Sequence, residues 1–207
     1  MDINFTQRQL AVSRALCQAL ERHRPNRENL AEVRPAAVLM PLWDDGDQVQ
    51  VVFTKRTNDL PSHAGQVSFP GGMVDPEDQD LRTTALRETH EEVGVPPDQV
   101  EVVTRLDQVV TVTGFLVTPY LGLVDPAARF QPNPVEVDHL VVVPLARLLD
   151  KSNYQTVDMV WEGMPLRQVA LYQDGDMIWG ATMRILLNFL DAVGPAASRV
   201  ASLARQK

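Results

Sequence analysis

The chain has 207 residues, of which 44% are hydrophobic and 22% charged, a balance that supports one sizeable buried core and excludes a disordered protein. Its net charge is −8 and its 19 Lys and Arg are scattered, so nothing offers the clustered basic surface that a nucleic acid needs. Cys17 is the one cysteine, which rules out an internal disulfide, and no apolar run approaches the roughly 18–20 residues that span a bilayer.

The start, Met1-Asp2-Ile3-Asn4, lacks the basic-then-apolar pattern of a secretory signal, so a cytoplasmic location and no membrane partner are expected. Residues 5–23 set Leu10, Leu16, Cys17 and Leu20 among polar residues, with Thr6 as a candidate N-cap, and predict an amphipathic helix with Cys17 as a small buried hydrophobe. Polar residues and Pro25 break it. Ala36–Trp43 and Val49–Thr54 read as strands joined by an Asp44-Asp45-Gly46-Asp47 turn. A long loop, Asn58–Asp80, carries Pro61, Gly65, Pro70, Gly71, Gly72 and Pro76. Leu81–Val93 reads as a helix, stopped by Gly94 and by Pro96-Pro97 beyond it.

Strands are predicted at Val100–Leu106, Val109–Val112, Phe115–Val124 and His139–Pro144, with a helical turn at Ala146–Asp150. Tyr154–Trp161 and Arg167–Tyr172 predict a further strand pair, and Ile178–Val193 a second long helix. The expected organisation is one α+β domain over 31–195. A helix and connector at 1–30 pack on it, and a tail at 196–207 extends as helix or frays.

The chemistry concentrates in Arg87-Glu88-Thr89-His90-Glu91-Glu92. At about 100° per residue, Glu88, Glu91 and Glu92 share an arc of roughly 100° on one helix face, while Leu86, Thr89 and Val93 face the other way. Like charges so placed repel one another, and Arg87, four residues before Glu91, offsets only part of that. Hard oxygen donors in such a cluster suit Mg²⁺ or Mn²⁺ bound together with phosphates. An E-x-x-E-E string alone is common on solvated helices. The preceding Phe69-Pro70-Gly71-Gly72 makes it specific, because backbone without Cβ can approach the same metal and present a carbonyl.

These residues resemble the Nudix box, G-x5-E-x7-R-E-U-x-E-E-x-G-U with U aliphatic, over Gly72–Val95. The interval from Gly72 to Arg87 is one residue longer, Asp78 stands at the first acidic position, and Thr89 replaces an aliphatic residue. The extra residue with Asp75-Pro76, and the upstream Phe53-Thr54-Lys55-Arg56, Gly65 and Phe69-Pro70-Gly71-Gly72, are similar to the coenzyme A pyrophosphatase branch. Its upstream motif reads L-L-T-x-R-[SA]-x3-R-x3-G-x3-F-P-G-G, and here Pro61 occupies the second arginine position, where it supplies no charge. Thr111-Val112-Thr113-Gly114, Glu136-Val137 and Trp179-Gly180-Ala181-Thr182 also look like that branch.

The resemblance implies an α/β/α sandwich with a mixed sheet, and Mg²⁺ or Mn²⁺ as cofactor. It implies Glu88 and Glu92 as principal metal ligands, with Glu91 a third ligand or the water-activating base. The carbonyl of Gly71 or Gly72 would complete the shell, Arg87 would orient the carboxylates, and Glu136 would supply a further catalytic carboxylate. Arg56, Lys55, His63, Gly65 and Phe69 are the expected substrate-binding residues. The implied reaction splits coenzyme A into 3′,5′-ADP and 4′-phosphopantetheine. ADP-ribose or NADH remains the alternative substrate, a non-catalytic binding module the alternative class, and a homodimer stays open.

Overall fold

The computed structural model describes residues 3–21, 23–26, 33–60, 63–161 and 163–206. Pro61 and the expected boundary at residues 30 and 31 lie outside them.

Strand β1 (Arg34–Asp44) is the spine of the main sheet. It pairs antiparallel with β2 (Val49–Arg56) and β4 (Gly71–Met73), and parallel with β7 (Phe115–Val124). The short β3 (Val67–Ser68) and β8 (Val137–Pro144) pair with β2, while β5 (Val100–Arg105) and β6 (Val109–Val110) pair with β7. The sheet is therefore mixed, as expected. Strand alternation splits its side chains between two cores. Met40, Leu42, Val51, Phe53, Leu121 and Val143 face α1 (Gln7–Leu20), α4 (Gly180–Val193) and α5 (Ala197–Ala204), whereas Leu39, Trp43 and Val124 meet Val93 of α2 (Leu81–Val93). Helices on both faces of one sheet make the α/β/α sandwich.

Helix α1 starts at Thr6, whose hydroxyl accepts from the Gln9 amide while the Gln9 side chain returns to the Thr6 N–H, a capping box. Its buried stripe differs from the expected one. Val12, Ala15, Leu16 and Leu20 form it, with Gln9 buried because its amide donates to the Leu42 and Val124 carbonyls. Cys17 is exposed, one step of about 100° past Leu16 and off that stripe, so it is no core residue. The tail extends as helix over Ala197–Ala204, with Val200 and Ala204 fully buried in the core that holds α1.

A second, three-stranded antiparallel sheet joins β9 (Tyr154–Trp161), β10 (Met164–Gln173) and β11 (Asp176–Ile178), after the short α3 (Leu145–Leu148). Ile178, expected to open the last helix, instead pairs with Leu171 in a hairpin turned by Asp174 and Gly175. Both turn residues have positive φ, as a tight hairpin requires.

Candidate active site

Helix α2 is fastened at both ends, and that sets its glutamates. Asp80 caps the start, accepting from Thr83 N–H at 2.7 Å, and Gly94 ends it in the left-handed conformation with its N–H on the His90 carbonyl. Beyond Gly94 the chain returns as 125–136 and lays the Gln131 and Asn133 amides on the Val93 and Glu92 carbonyls, at 2.8 and 2.9 Å. The Thr57 N–H donates to the Glu136 carbonyl at 3.0 Å, so the end of β2, the end of α2 and Glu136 meet at one corner.

Arg87 is the hub of the acidic face. It makes a two-pronged contact with Asp78 (3.0 Å at both oxygens) and donates to the Met73 carbonyl, Glu88 and Glu91. The Asp78 side chain is almost fully buried, and the Arg87 hydrogen bond holds its carboxyl well below the usual range. Asp78, at the first acidic position of the box, thus anchors the arginine that spreads the two glutamates.

The three glutamates are not equivalent. Glu92 is 2% exposed, with Arg56 at 3.5 Å and the Gly71 N–H at 3.4 Å, both too long to offset its burial well. Burial pushes its carboxyl up to about 8, against the pull of Arg56, and the charges of Glu88 and Glu136 add to the push. Glu88 is raised for the same first reason, burial, with Glu91 and Glu136 contributing and Arg87 opposing. Glu91 instead turns outward, its side chain 52% exposed and paired with Arg87 at 3.0 Å. The expected three-carboxylate face is therefore an inner pair, Glu88 and Glu92, with Glu136 beside them and Glu91 at the rim. Among the described residues no three His, Cys, Asp or Glu side chains converge as a closed metal cage. The donor chemistry still fits a divalent cation, because a buried and a half-buried carboxylate that resist ionisation side by side are what such an ion compensates.

The backbone at Gly71-Gly72 runs along this inner pair. A Cβ at Gly72 would lie 2.6 Å from the Glu88 carboxylate, and one at Gly71 would run into the Ala37 carbonyl oxygen of β1. Glycine here lets β4 lie flat against both the sheet and the glutamates.

Of the expected substrate contacts, Arg56 belongs to this corner, and its Nε is buried without a hydrogen-bond partner. Lys55 does not belong to it. Adjacent strand residues face opposite sides, and Lys55 is held by Asp176 of β11 at 2.8 Å on the other face of the sheet. Phe69 is 2% exposed and stacked on Phe53 with ring centres 4.7 Å apart, so it is a core residue. Its place between two strand-forming segments and its apolar ring account for that burial. His63 and Gly65 shape the loop after β2. His63 bonds Gln66 through Nδ1 at 3.1 Å, and Gly65, at φ 65°, donates to the Thr57 carbonyl.

Residues 33–160 match the family model described as the NUDIX domain. A protein of Photorhabdus laumondii called an uncharacterized Nudix hydrolase, NudL, is 39% identical over 74% of this chain and 81% of its own. A NudL of Enterobacter sp. is 38% identical over 78% of this chain and 83% of its own. Among solved structures, a MutT/nudix family protein from Enterococcus faecalis shares the fold, with a TM-score of 0.50 at 15% identity over 95% of this chain and 80% of the other.

Proposed function

The chain belongs to the Nudix hydrolases, enzymes that cut pyrophosphate bonds in nucleoside diphosphate derivatives with divalent metal, and from that premise we propose that its substrate is coenzyme A or a derivative of it. The products would be 3′,5′-ADP and 4′-phosphopantetheine or its acylated form, with Mg²⁺ or Mn²⁺ as the ion. The observation that carries the phosphate side of this reading is the buried, unpartnered Nε of Arg56, whose Nη1 lies 3.5 Å from Glu92. An arginine donor without a protein acceptor, beside a site for a cation, suits an anionic oxygen from a ligand. The coenzyme A side rests on the stretch from Phe53 to Gly72 that resembles that branch.

Glu88 and Glu92, with the backbone of Gly71 or Gly72, are the groups that would hold the ion. A bound divalent cation neutralises phosphate charge and lowers the pKa of a water molecule. Arg56 donates to a phosphate oxygen and fixes the diphosphate for in-line attack. Glu136 is our assignment for the carboxylate that takes the water's proton, because its charge bears on both Glu88 and Glu92 while Glu91 is turned outward to Arg87. The water oxygen bonds to phosphorus as the bridging P–O bond breaks, and the leaving phosphate keeps the bridging oxygen. Asp78 acts through Arg87, holding the guanidinium so that Glu88 stays turned toward Gly72.

Mass spectrometry of products formed from coenzyme A, ADP-ribose and NADH, incubated in parallel with Mg²⁺ or Mn²⁺, tests the substrate. Release of 3′,5′-ADP from coenzyme A alone is the expected result. Cleavage of the other two with coenzyme A intact would keep the chemistry and move the protein to another substrate class.

A further inference from the structure

The pairing of β2 with β8 is regular from Gln50 with Pro144 to Lys55 with His139, and then slips: Arg56 stands opposite Val137, leaving Asp138 as an extra residue. Such a bulge bends the strand and re-aims the side chains around it. The Arg56 side chain cannot correct that aim through bonds of its own. Among the described residues its one ion pair is with Glu92, at 3.5 Å, and its Nε has no partner. The direction of the guanidinium is therefore set by the backbone at the bulge, where the Arg56 N–H donates to the Gln66 carbonyl and the Thr57 N–H to that of Glu136.

One carboxylate fastens this bulge from the far face of the sheet. Asp176 of β11 meets Lys55 Nζ at 2.8 Å with one oxygen and His139 Nε2 at 2.7 Å with the other. The second ring nitrogen of His139 faces Asp138, the extra residue itself, at 2.7 Å. Both ring nitrogens thus meet carboxylates, and both donate when the ring is charged. The group contains two cations and two anions and satisfies itself, which suits a fastener rather than a ligand site. Among the described residues, both ion pairs that join the two sheets pass through Asp176.

We infer that Asp176 is a positioning residue for phosphate recognition: by clasping Lys55 and His139 across the bulge it sets where Arg56 points. The inference rests on reading Arg56 as a phosphate contact. The clasp touches neither Glu88 nor Glu92, so its loss loosens binding of the diphosphate and leaves that pair in place.

The test uses Asp176→Asn, Arg56→Ala and the double variant, with Mg²⁺-pyrophosphate, the group common to every substrate in question, as the calorimetric probe. Steady-state kinetics follow on whichever substrate is cleaved. Asp176→Asn is expected to weaken pyrophosphate binding and raise KM by ~5–10-fold with kcat within about 2-fold, and to have almost no further effect once Arg56 is alanine, because coupled residues are not additive. His139→Gln, at a side chain nearly half exposed, should act in the same direction and stands in if Asp176→Asn does not fold. An undiminished effect of Asp176→Asn in the Arg56→Ala background, a fall in kcat alone, or no effect overturns the inference. If Arg56→Ala itself leaves pyrophosphate binding unchanged, the reading of Arg56 fails first, and that outcome is visible separately.

Discussion

Glu92→Gln will lower turnover by at least ~10²-fold and, in the metal-free protein at pH 8.5, raise the melting temperature. Both effects come from one buried charge. Glu92 is enclosed by β4, α2 and Arg56, and burial pushes its carboxyl up to about 8. The unfolded chain gives up that proton near pH 4.3, as free glutamate does. Between these two values the folded protein binds the extra proton, so its stability falls as pH rises through that window, and above it the full cost is present. At 1.36 kcal/mol for each pKa unit, that cost is on the order of a few kcal/mol. Glutamine keeps the shape and never ionises, so the variant escapes the cost, and Arg56, partly open to solvent, tolerates losing its partner.

His139, whose ring is raised by its hydrogen bonds to Asp176 and Asp138, also stabilises below its pKa and stops doing so above it. Its slope has the same sign, so the difference between wild type and Glu92→Gln is the measure for Glu92. Thermal melts in EDTA should coincide near pH 4, lie modestly apart at pH 5.5 and separate fully at pH 8.5. Mg²⁺ should lift wild type more than the variant, because only wild type offers both carboxylates. His90→Ala, on the exposed side of α2, should leave turnover unchanged. Retained turnover in Glu92→Gln would reject this site, and identical melts at pH 8.5 would reject the buried charge.

Local signals made α2 readable before its surroundings were known. Three glutamates at helical spacing, a Gly at its end and two prolines beyond are all near neighbours in sequence, and the observed helix has the predicted bounds. The capping Thr6 was readable for the same reason. What escaped depends on long-range packing. Periodicity put Cys17 on the inner face of α1, but the sheet end selected Gln9, whose amide two backbone carbonyls needed. Lys55 and Arg56 read alike as cations beside a loop, and the extension of β2 through both, past its predicted end at Thr54, sends them to opposite faces. Phe69 borrowed a substrate role from the glycines next to it, although an aromatic between strand segments has a more general use in the core. The Asp174-Gly175 turn was present in the sequence as a hairpin signal, and it alone would have moved Ile178 from helix to strand. Asp176 carries no local signal, since its partners lie 121 and 37 residues away in the chain (176 − 55 and 176 − 139).

The adjacent glycines at the site should fail in opposite ways when a methyl group is added. At Gly71, φ is +153°, a conformation that alanine adopts only under strain, and the new Cβ would meet the Ala37 carbonyl and come within 2.6 Å of Val38 Cα. Those atoms are main chain of β1, the strand at the centre of the sheet, paired on both sides by β2, β4 and β7. They cannot move without breaking ladder hydrogen bonds. Gly71→Ala is therefore expected to cost on the order of 3 kcal/mol or more and to yield little folded protein. At Gly72 φ is not in that region, and the atoms nearest the Cβ would be those of the Glu88 carboxylate, at 2.6 Å. A side-chain end can swing aside, so Gly72→Ala should fold and melt within a few degrees of wild type. Its cost falls on geometry instead: Glu88 leaves its place beside Glu92, and turnover drops by ~10²-fold, as for a catalytic group displaced by about an ångström. Circular dichroism melts and turnover on both variants decide it. A well-folded Gly71→Ala would show that β4 can shift away from β1. A fully active Gly72→Ala would show that Glu88 does not need its present position, and would remove it from the catalytic pair.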